Sequence, residues 1–224
     1  MPDHNSYLQQ DILHKPLEKH GLLEEFNLPP KVIKFIRTNR DKIFVAIAGL
    51  MVAILAWSYY GHYVATRNDQ AAALLNKAVT QEDVEQRAAI FNQVADQFGG
   101  TGSAMWAKIE LAHLAFDRDD YDDAAGRYQA VLGGLAADSP LLPLVQYNLA
   151  QALENKKSFK EAIDAYRKLI ALKGFTGEAY LALARIYEVQ GELIQVKEML
   201  QKVLELEEVS LAVKNRVKAK LARF

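Results

Sequence analysis

Hydrophobic and polar positions follow two patterns along this chain, and the first is a continuous apolar run. Ile43–Thr66 contains 24 residues with no Asp, Glu, Lys or Arg. As a helix rising about 1.5 Å per residue, the run would measure about 36 Å, enough to cross a hydrocarbon core of about 30 Å. Four aromatic residues gather toward its end: Trp57, Tyr59, Tyr60 and Tyr63. Since such rings prefer the headgroup level of a bilayer, the run predicts a membrane-spanning helix.

The charged flanks of the run predict its orientation. The twelve residues before it hold five Lys or Arg, whereas the twelve after it hold only Arg67 and Lys77. Because basic residues are retained on the cytoplasmic side of short loops, we expect the N-terminus in the cytoplasm and the C-terminal domain in the periplasm. A cleaved signal peptide is the competing interpretation, but its apolar segment would be shorter and nearer the N-terminus. The predicted location is the bacterial inner membrane, crossed once.

The second pattern is a repeat that follows the run. Three stretches align, beginning at Lys108, Gln146 and Tyr180 and separated by 38 and 34 residues. Each has a Leu-Ala pair, then a bulky residue after a polar turn, a small or β-branched residue three positions on, and another bulky residue four beyond. The aligned residues are Leu111-Ala112, Leu149-Ala150 and Leu183-Ala184; Tyr121, Phe159 and Leu193; Ala124, Ala162 and Val196; and Tyr128, Tyr166 and Leu200. A period of 34 is that of tetratricopeptide repeats.

Small residues at the aligned positions indicate closely packed antiparallel helices, because two helices approach closely only where small side chains lie at their crossing. The short polar turns between them suit helix-to-helix connections. The four extra residues of the first link fall among Gly, Ser and Pro, so we expect them in an inter-repeat loop. The predicted fold is all-α, with a single N-terminal transmembrane helix followed by a tetratricopeptide-repeat-like helical solenoid.

Further helices are expected at both ends of the repeats. Upstream, Gln70–Ala78 and Glu82–Phe98 look like the two helices of a degenerate first repeat. The apolar face of the second should consist of Ala89, Ile90, Val94 and Phe98. Downstream, Ser210 is expected to cap a final helix that covers the last repeat. Its apolar stripe should be Val213, Val217, Leu221 and Phe224. Its five basic residues indicate a solvated outer face, or alternatively an acidic-partner or headgroup site.

Three regions result. Residues 1–30 are a cytoplasmic segment that is flexible or ordered by a partner, with a short helix expected from Pro16 through Glu25. Residues 31–66 are a basic juxtamembrane helix leading into the span. Residues 67–224 form the periplasmic repeat domain, with 20 basic and 22 acidic residues. Their balance of −2 gives no reason to expect nucleic acid as a partner.

No pattern in the chain indicates catalysis, a metal or a cofactor. There is no Cys, no HExxH and no GxSxG, so we expect a protein that is not an enzyme. The acidic run from Asp117 to Asp123 lacks the glycine and terminal Glu of an EF-hand loop, and it coincides with a helix turn. A solvated turn is the preferred interpretation over a calcium site.

The first helices of the repeats are expected to line a concave surface for a protein partner. From the repeat register, the side chains aimed there are Trp106, Ile109, His113, Phe116, Tyr147, Gln151, Glu154, Leu181, Arg185 and Glu188. This mixture of aromatic and polar side chains suits an extended or helical peptide segment. Tyr147 and Arg185 are expected to point away from the helix crossings, so their removal should weaken partner binding and leave the fold intact.

The order of these features resembles that of a known family. A basic run ending in FIRTNRDK, a span closing on WSYY, and repeats beginning FNQVADQFGGTGSAMWAKIELAH are similar to the YfgM family of ancillary Sec translocon subunits. The resemblance implies an N-in anchor, periplasmic repeats, and contacts with translocon subunits, with a PpiD-like chaperone and with exported polypeptides. It also implies that the chain links the translocon to periplasmic chaperones.

A different membrane complex is the alternative. About thirty N-terminal residues do not align with that family, and Gly49 lies four residues before Ala53 in the span. Such small residues let transmembrane helices approach closely. The chain would then be a structural or assembly subunit of a respiratory or envelope complex.

Overall fold

The computed structural model describes residues 28–172 and 175–224, in which every regular element is an α-helix. In chain order these are α1 (Pro30–Thr38), α2 (Arg40–Val79), α3 (Val84–Gln97), α4 (Gly102–Asp117), α5 (Tyr121–Gly134), α6 (Leu142–Asn155), α7 (Phe159–Ala171), α8 (Thr176–Gln190), α9 (Leu193–Glu205) and α10 (Leu211–Leu221). The chain divides into two compact units, with the boundary between Tyr63 and Val64. The helix expected from Pro16 through Glu25 lies outside the described residues.

The first unit contains the basic helix and the apolar run. Pro30 opens α1, as suits a residue whose φ is fixed near the helical value. The helix ends at Thr38, because Asn39 leaves the helical conformation with φ −111° and ψ 21°. The Asn39 side-chain amide donates to the carbonyl of Phe35 at 3.1 Å there. The basic helix and the span are therefore separate elements. Among the described residues, α2 is the one helix long and apolar enough to cross a membrane.

The second unit is a stack of helix pairs, α4 with α5, α6 with α7 and α8 with α9. The predicted crossing residues are all buried, with side chains at most 1% exposed. They are Ala112, Ala150, Ala184, Ala124 and Ala162. The aligned residues Val196, Tyr128, Tyr166 and Leu200 are buried to the same extent. The prediction of an all-helical solenoid with close crossings is confirmed. Each helix from α3 onward packs mainly against its neighbours in the chain.

Two details of the first repeat differ from the prediction. The segment expected as a separate helix, Gln70–Ala78, is the end of α2, because no Gly or Pro stands between Val64 and Val79. The predicted apolar face of α3 is partly wrong, because Ala89 is exposed and Phe91 is buried at 1%. Phe91 and Val94 pack with Ala78 and Leu111 in one apolar cluster. An alanine contributes little apolar area, so the larger Phe91 determines which side of α3 faces inward.

The acidic run between α4 and α5 forms caps and ion pairs. Asp120 is the N-cap of α5, and its carboxylate accepts a hydrogen bond from the backbone N–H of Asp123 at 3.1 Å. Asp123 pairs with Arg127 at 2.6 Å, and Asp122 pairs with Lys156 of the next repeat. Carboxylates at a helix N-terminus also interact favourably with its dipole. The run therefore fixes a helix start and bridges two repeats.

The final helix α10 is capped as expected. The Ser210 hydroxyl accepts a hydrogen bond from the Val213 N–H at 3.4 Å. Val217 is 3% exposed and joins the core of the last repeat, together with partly buried Val213 and Leu221. Phe224 stays 38% exposed. The helix thus covers the last repeat through a narrow apolar stripe.

Replacing Gly191 by Ala is expected to destabilise the protein by about 1 kcal/mol, because Gly191 has φ +77° in the turn that ends α8. The Gly191 N–H donates to the Glu188 carbonyl there, at 3.1 Å. Gly126→Ala is the matched control, since Gly126 lies inside α5 with open space around its Cα. It should stabilise by about 0.5–1 kcal/mol through higher helix propensity. Thermal unfolding that shifts in the same direction for both variants would contradict this assignment.

Candidate partner-binding surface

Three first helices, α4, α6 and α8, bring most of the predicted partner-contacting residues onto one surface. We call it the first-helix surface, defined by Trp106, His113, Phe116, Tyr147, Gln151, Glu154, Leu181, Arg185 and Glu188. Side chains from successive first helices contact one another directly along it. The His113 ring Nε2 lies 3.0 Å from the Asn148 amide, and Arg185 reaches back to Glu154. At the far end, Lys220 of α10 pairs with Glu188.

Ile109 does not belong to this surface. Its side chain is fully buried, at 0% exposure, in the cluster formed by α4, α5 and α6. It packs there with Tyr128 and Val145, because the turn of α4 that carries Ile109 faces the second helix of its own repeat. The prediction that Ile109 contacts a partner is therefore corrected to a core position. Trp106, one turn earlier, is 39% exposed.

Glu154 is the most strongly held polar side chain of the surface. Its carboxylate accepts hydrogen bonds from Arg185 Nε and Nη2 at 2.5 and 2.8 Å, and from the Tyr166 hydroxyl at 2.8 Å. The Glu154 side chain is 14% exposed and that of Arg185 is 54% exposed. Hydrogen bonding to Glu154 raises the pKa of the Arg185 guanidinium. Burial, followed by the nearby Glu154 charge, raises the pKa of Tyr166, so its hydroxyl stays protonated as a donor.

An aromatic pair forms the middle of the surface. Tyr147 and Phe175 stack with ring centroids 5.2 Å apart and planes 9° from parallel, and the Tyr147 hydroxyl accepts a hydrogen bond from the Gln151 amide at 2.9 Å. Tyr147 also meets Tyr166 edge to face and packs against the core. Tyr147 therefore does not point fully away from the helix packing, as its spacing suggested. We expect Tyr147→Ala to lower stability as well as binding.

Phe175 was missed in the sequence, although it is 40% exposed beside Tyr147. It precedes α8 with a left-handed backbone, φ +54°. Such a conformation is uncommon for a bulky residue and costs free energy. No local motif in the sequence indicates this position as part of the surface. The contact with Tyr147 depends on the fold, because 28 positions separate the two residues.

A second concave region lies on another side of α6. A cavity of about 630 Å³ opens between α5 and α7, with Leu149 and Leu153 on α6 at its floor and Glu161, Asp164 and Lys168 at its rim. Gln146 beside it is 7% exposed and donates to the Ala165 carbonyl at 3.0 Å. The four-residue insertion between α5 and α6 adjoins this cavity.

The chemistry of both regions is that of noncovalent contact. Half-buried aromatic rings and paired charges line the first-helix surface, whereas leucine, glutamine and charged side chains line the cavity. Among the described residues no three His, Asp or Glu side chains converge as a metal site would require. Aromatic and Arg side chains are the types that most often dominate binding between proteins. The arrangement suits recognition of a polypeptide.

Comparison with solved structures gives the same fold. Similar structures include a tetratricopeptide repeat protein from Parabacteroides merdae (TM-score 0.56, 13% identity, 70% of this chain and 61% of that one). MamA from Desulfovibrio magneticus RS-1 is also similar (TM-score 0.54, 15% identity, covering 70% of this chain and 85% of that one). So are the TPR-like repeats of a kinesin light chain from Podosopora anserina (TM-score 0.51, 17% identity, covering 72% of this chain and 84% of that one).

Comparison with protein families gives a match that extends well beyond a single repeat. Curated proteins gave no match. The family described as the tetratricopeptide repeat-like domain matches residues 34–202, which is most of the 224-residue chain. The match includes the apolar run, the first two aligned repeats and nearly all of the third. Repeats of this kind generally mediate contacts between proteins. The chain therefore belongs to the tetratricopeptide repeat-like domain family.

Proposed function

We propose that this protein is a non-enzymatic, membrane-anchored interaction subunit that links the Sec translocon to periplasmic chaperones or exported chains. Its N-terminus lies in the cytoplasm of a bacterium and its repeat domain in the periplasm. Translocon subunits, a PpiD-like chaperone and exported polypeptides are the proposed partners. The resemblance to the YfgM family and the basic residues before the span support this topology and this complex.

The observation that carries the proposal is that one chain contains both the first-helix surface and a helix long and apolar enough to span a membrane. Trp106 and the Tyr147–Phe175 stack provide apolar contact area that the fold leaves partly open. The ion pair between Glu154 and Arg185 supplies polar groups around the stack. A surface of aromatic anchors surrounded by polar groups is the usual composition of a protein interface.

Purification of the tagged full chain in a mild detergent tests the proposal. Translocon subunits should co-purify, and Trp106→Ala should reduce their yield by at least about 10-fold, as expected when a large aromatic anchor is removed from an interface. Ile194→Ala is the matched control, since Ile194 is 82% exposed on the second helix α9. The control should leave the yield unchanged.

Two results would contradict the proposal. The first is a preparation that never contains translocon subunits but contains another membrane complex in fixed stoichiometry, which would favour a structural subunit packed through the span. The second is equal loss of translocon subunits from Trp106→Ala and Ile194→Ala. That result would place the contact outside the first-helix surface.

A further inference from the structure

A cleft separates the last first helix, α8, from the final helix, α10. We call it the α8–α10 cleft, lined by Leu181, Leu200, Val213, Arg216, Val217 and Lys220, with a volume of about 240 Å³. Leu181 and Val213 also line a neighbouring cavity of about 410 Å³ that reaches the start of α8. The two cavities therefore adjoin along one side of α10. Leu181, Leu200, Val213 and Val217 form the apolar floor of the α8–α10 cleft.

Helix α10 and the residues beside it are strongly basic, whereas Glu178 and Glu208 line the neighbouring cavity. From Val209 to Phe224 the chain carries five Lys or Arg and no Asp or Glu. Helical spacing places Arg216, Lys220 and Arg223 along one side, since positions four and seven apart lie close in direction. Lys220 is held by Glu188 at 2.5 Å. Arg216 has no ion-pair or hydrogen-bond partner in residues 28–172 and 175–224, and it lies at the cleft.

We propose that the α8–α10 cleft binds a short acidic segment of a partner protein, with a branched apolar side chain on the apolar floor and a carboxylate on Arg216. A planar guanidinium favours carboxylates because it can donate two parallel hydrogen bonds. Leu181 belongs to both the cleft and the first-helix surface, so a bound segment would continue from one into the other. The proposal rests on the first-helix surface being a partner surface, but not on which membrane complex supplies the partner.

The shape of the site favours a polypeptide over a lipid headgroup surface. A flat anionic lipid surface would contact the cations that point outward from α10. Lys218 is one of these, and its side chain is exposed. Lys218 is two residues from Arg216, so the two point to nearly opposite sides of the helix at 3.6 residues per turn. Arg216 instead borders a concave apolar site. The two cations therefore distinguish cleft binding from surface attraction.

A library of random twelve-residue peptides displayed on phage tests the proposal, with the full chain held in phosphatidylcholine nanodiscs. Selected peptides should be enriched in Asp or Glu next to Leu, Ile or Val. Fluorescence anisotropy with one selected peptide should then give at least about 10-fold weaker binding to Arg216→Gln, the loss expected for a charge-assisted hydrogen bond. Lys218→Gln is the matched control and should change binding by less than about 2-fold, since exposed charges off the site contribute little.

Several results would overturn the proposal. Selection without acidic enrichment excludes an acidic segment. Equal weakening by Arg216→Gln and Lys218→Gln, together with binding to phosphatidylglycerol vesicles that both variants weaken, assigns α10 to a lipid surface. Circular dichroism of both variants should match that of the parent, because both side chains are exposed. Translocon co-purification is measured separately. If the cleft does not bind acidic peptides but translocon subunits still co-purify, only the cleft proposal is refuted, and the proposed function stands.

Discussion

Ala150→Leu should lower the free energy of unfolding by about 1–3 kcal/mol, because three extra carbons enter a filled helix crossing. Ala150 is fully buried on α6, in the cluster that contains Ala162 and Tyr166 of α7. The neighbours cannot move apart without separating two helices of the same repeat. Thermal unfolding of the full chain in detergent, followed by circular dichroism, should show a melting temperature lower by about 2–4 °C per kcal/mol.

Ala89→Leu provides the matched control for this overpacking. It makes the same substitution in a helix, α3, but at an alanine that is exposed. Its effect should stay within about 0.5 kcal/mol. If Ala89→Leu destabilised as much as Ala150→Leu, the assigned inward face of α3 would be wrong. An unchanged melting temperature for Ala150→Leu would contradict the crossing itself.

Glu154→Ala is the other substitution with a large expected effect, about 2–3 kcal/mol of lost stability. The Tyr166 hydroxyl, in a side chain that is 0% exposed, would lose its acceptor, and an unpaired buried hydroxyl costs about 1–3 kcal/mol. The Arg185 pair adds less, because that side chain is 54% exposed and solvent screens it. Chemical denaturation of the full chain measures the loss.

A double variant separates these contributions. Tyr166→Phe removes the hydroxyl that Glu154→Ala would leave unpaired. The double variant should therefore lose little more stability than Glu154→Ala alone, so the losses of the two single variants should not add. Glu188→Ala is the matched control, since its pair with Lys220 joins two side chains about 40% exposed. It should cost at most about 1 kcal/mol. Additive effects of Glu154→Ala and Tyr166→Phe would mean that their hydrogen bond contributes nothing.

The repeat fold could be predicted from the sequence because its signal is periodic. Ala112, Ala150 and Ala184 recur at fixed positions, and every repeat obeys the same packing requirement. The single apolar run was equally clear, since its length and absence of charge predict a helix that is long and apolar enough to cross a membrane. Helix ends were predicted less well where one element continues another, as at the end of α2, because no breaker stands at that place.

The candidate surface was predicted less completely, for a geometric reason. Repeat register places Ile109 and His113 one turn apart on α4, but a small difference in helix rotation buries one and leaves the other half-exposed. Phe175 contacts Tyr147 only after α6 and α8 are stacked. The α8–α10 cleft likewise depends on how closely the last helix packs. Such features come from distances between elements, which a local pattern does not contain.

The neighbour-to-neighbour packing of α3 through α10 has a consequence for how the chain acquires its structure. Each helix from α3 to α10 has its main packing partner directly before or after it in the sequence, so no helix must wait for a distant segment to arrive. Repeat arrays of this kind can nucleate locally and grow by addition of the next unit. A chain synthesised from its N-terminus can therefore fold in the same order in which it emerges, with only the most recent helix awaiting its successor.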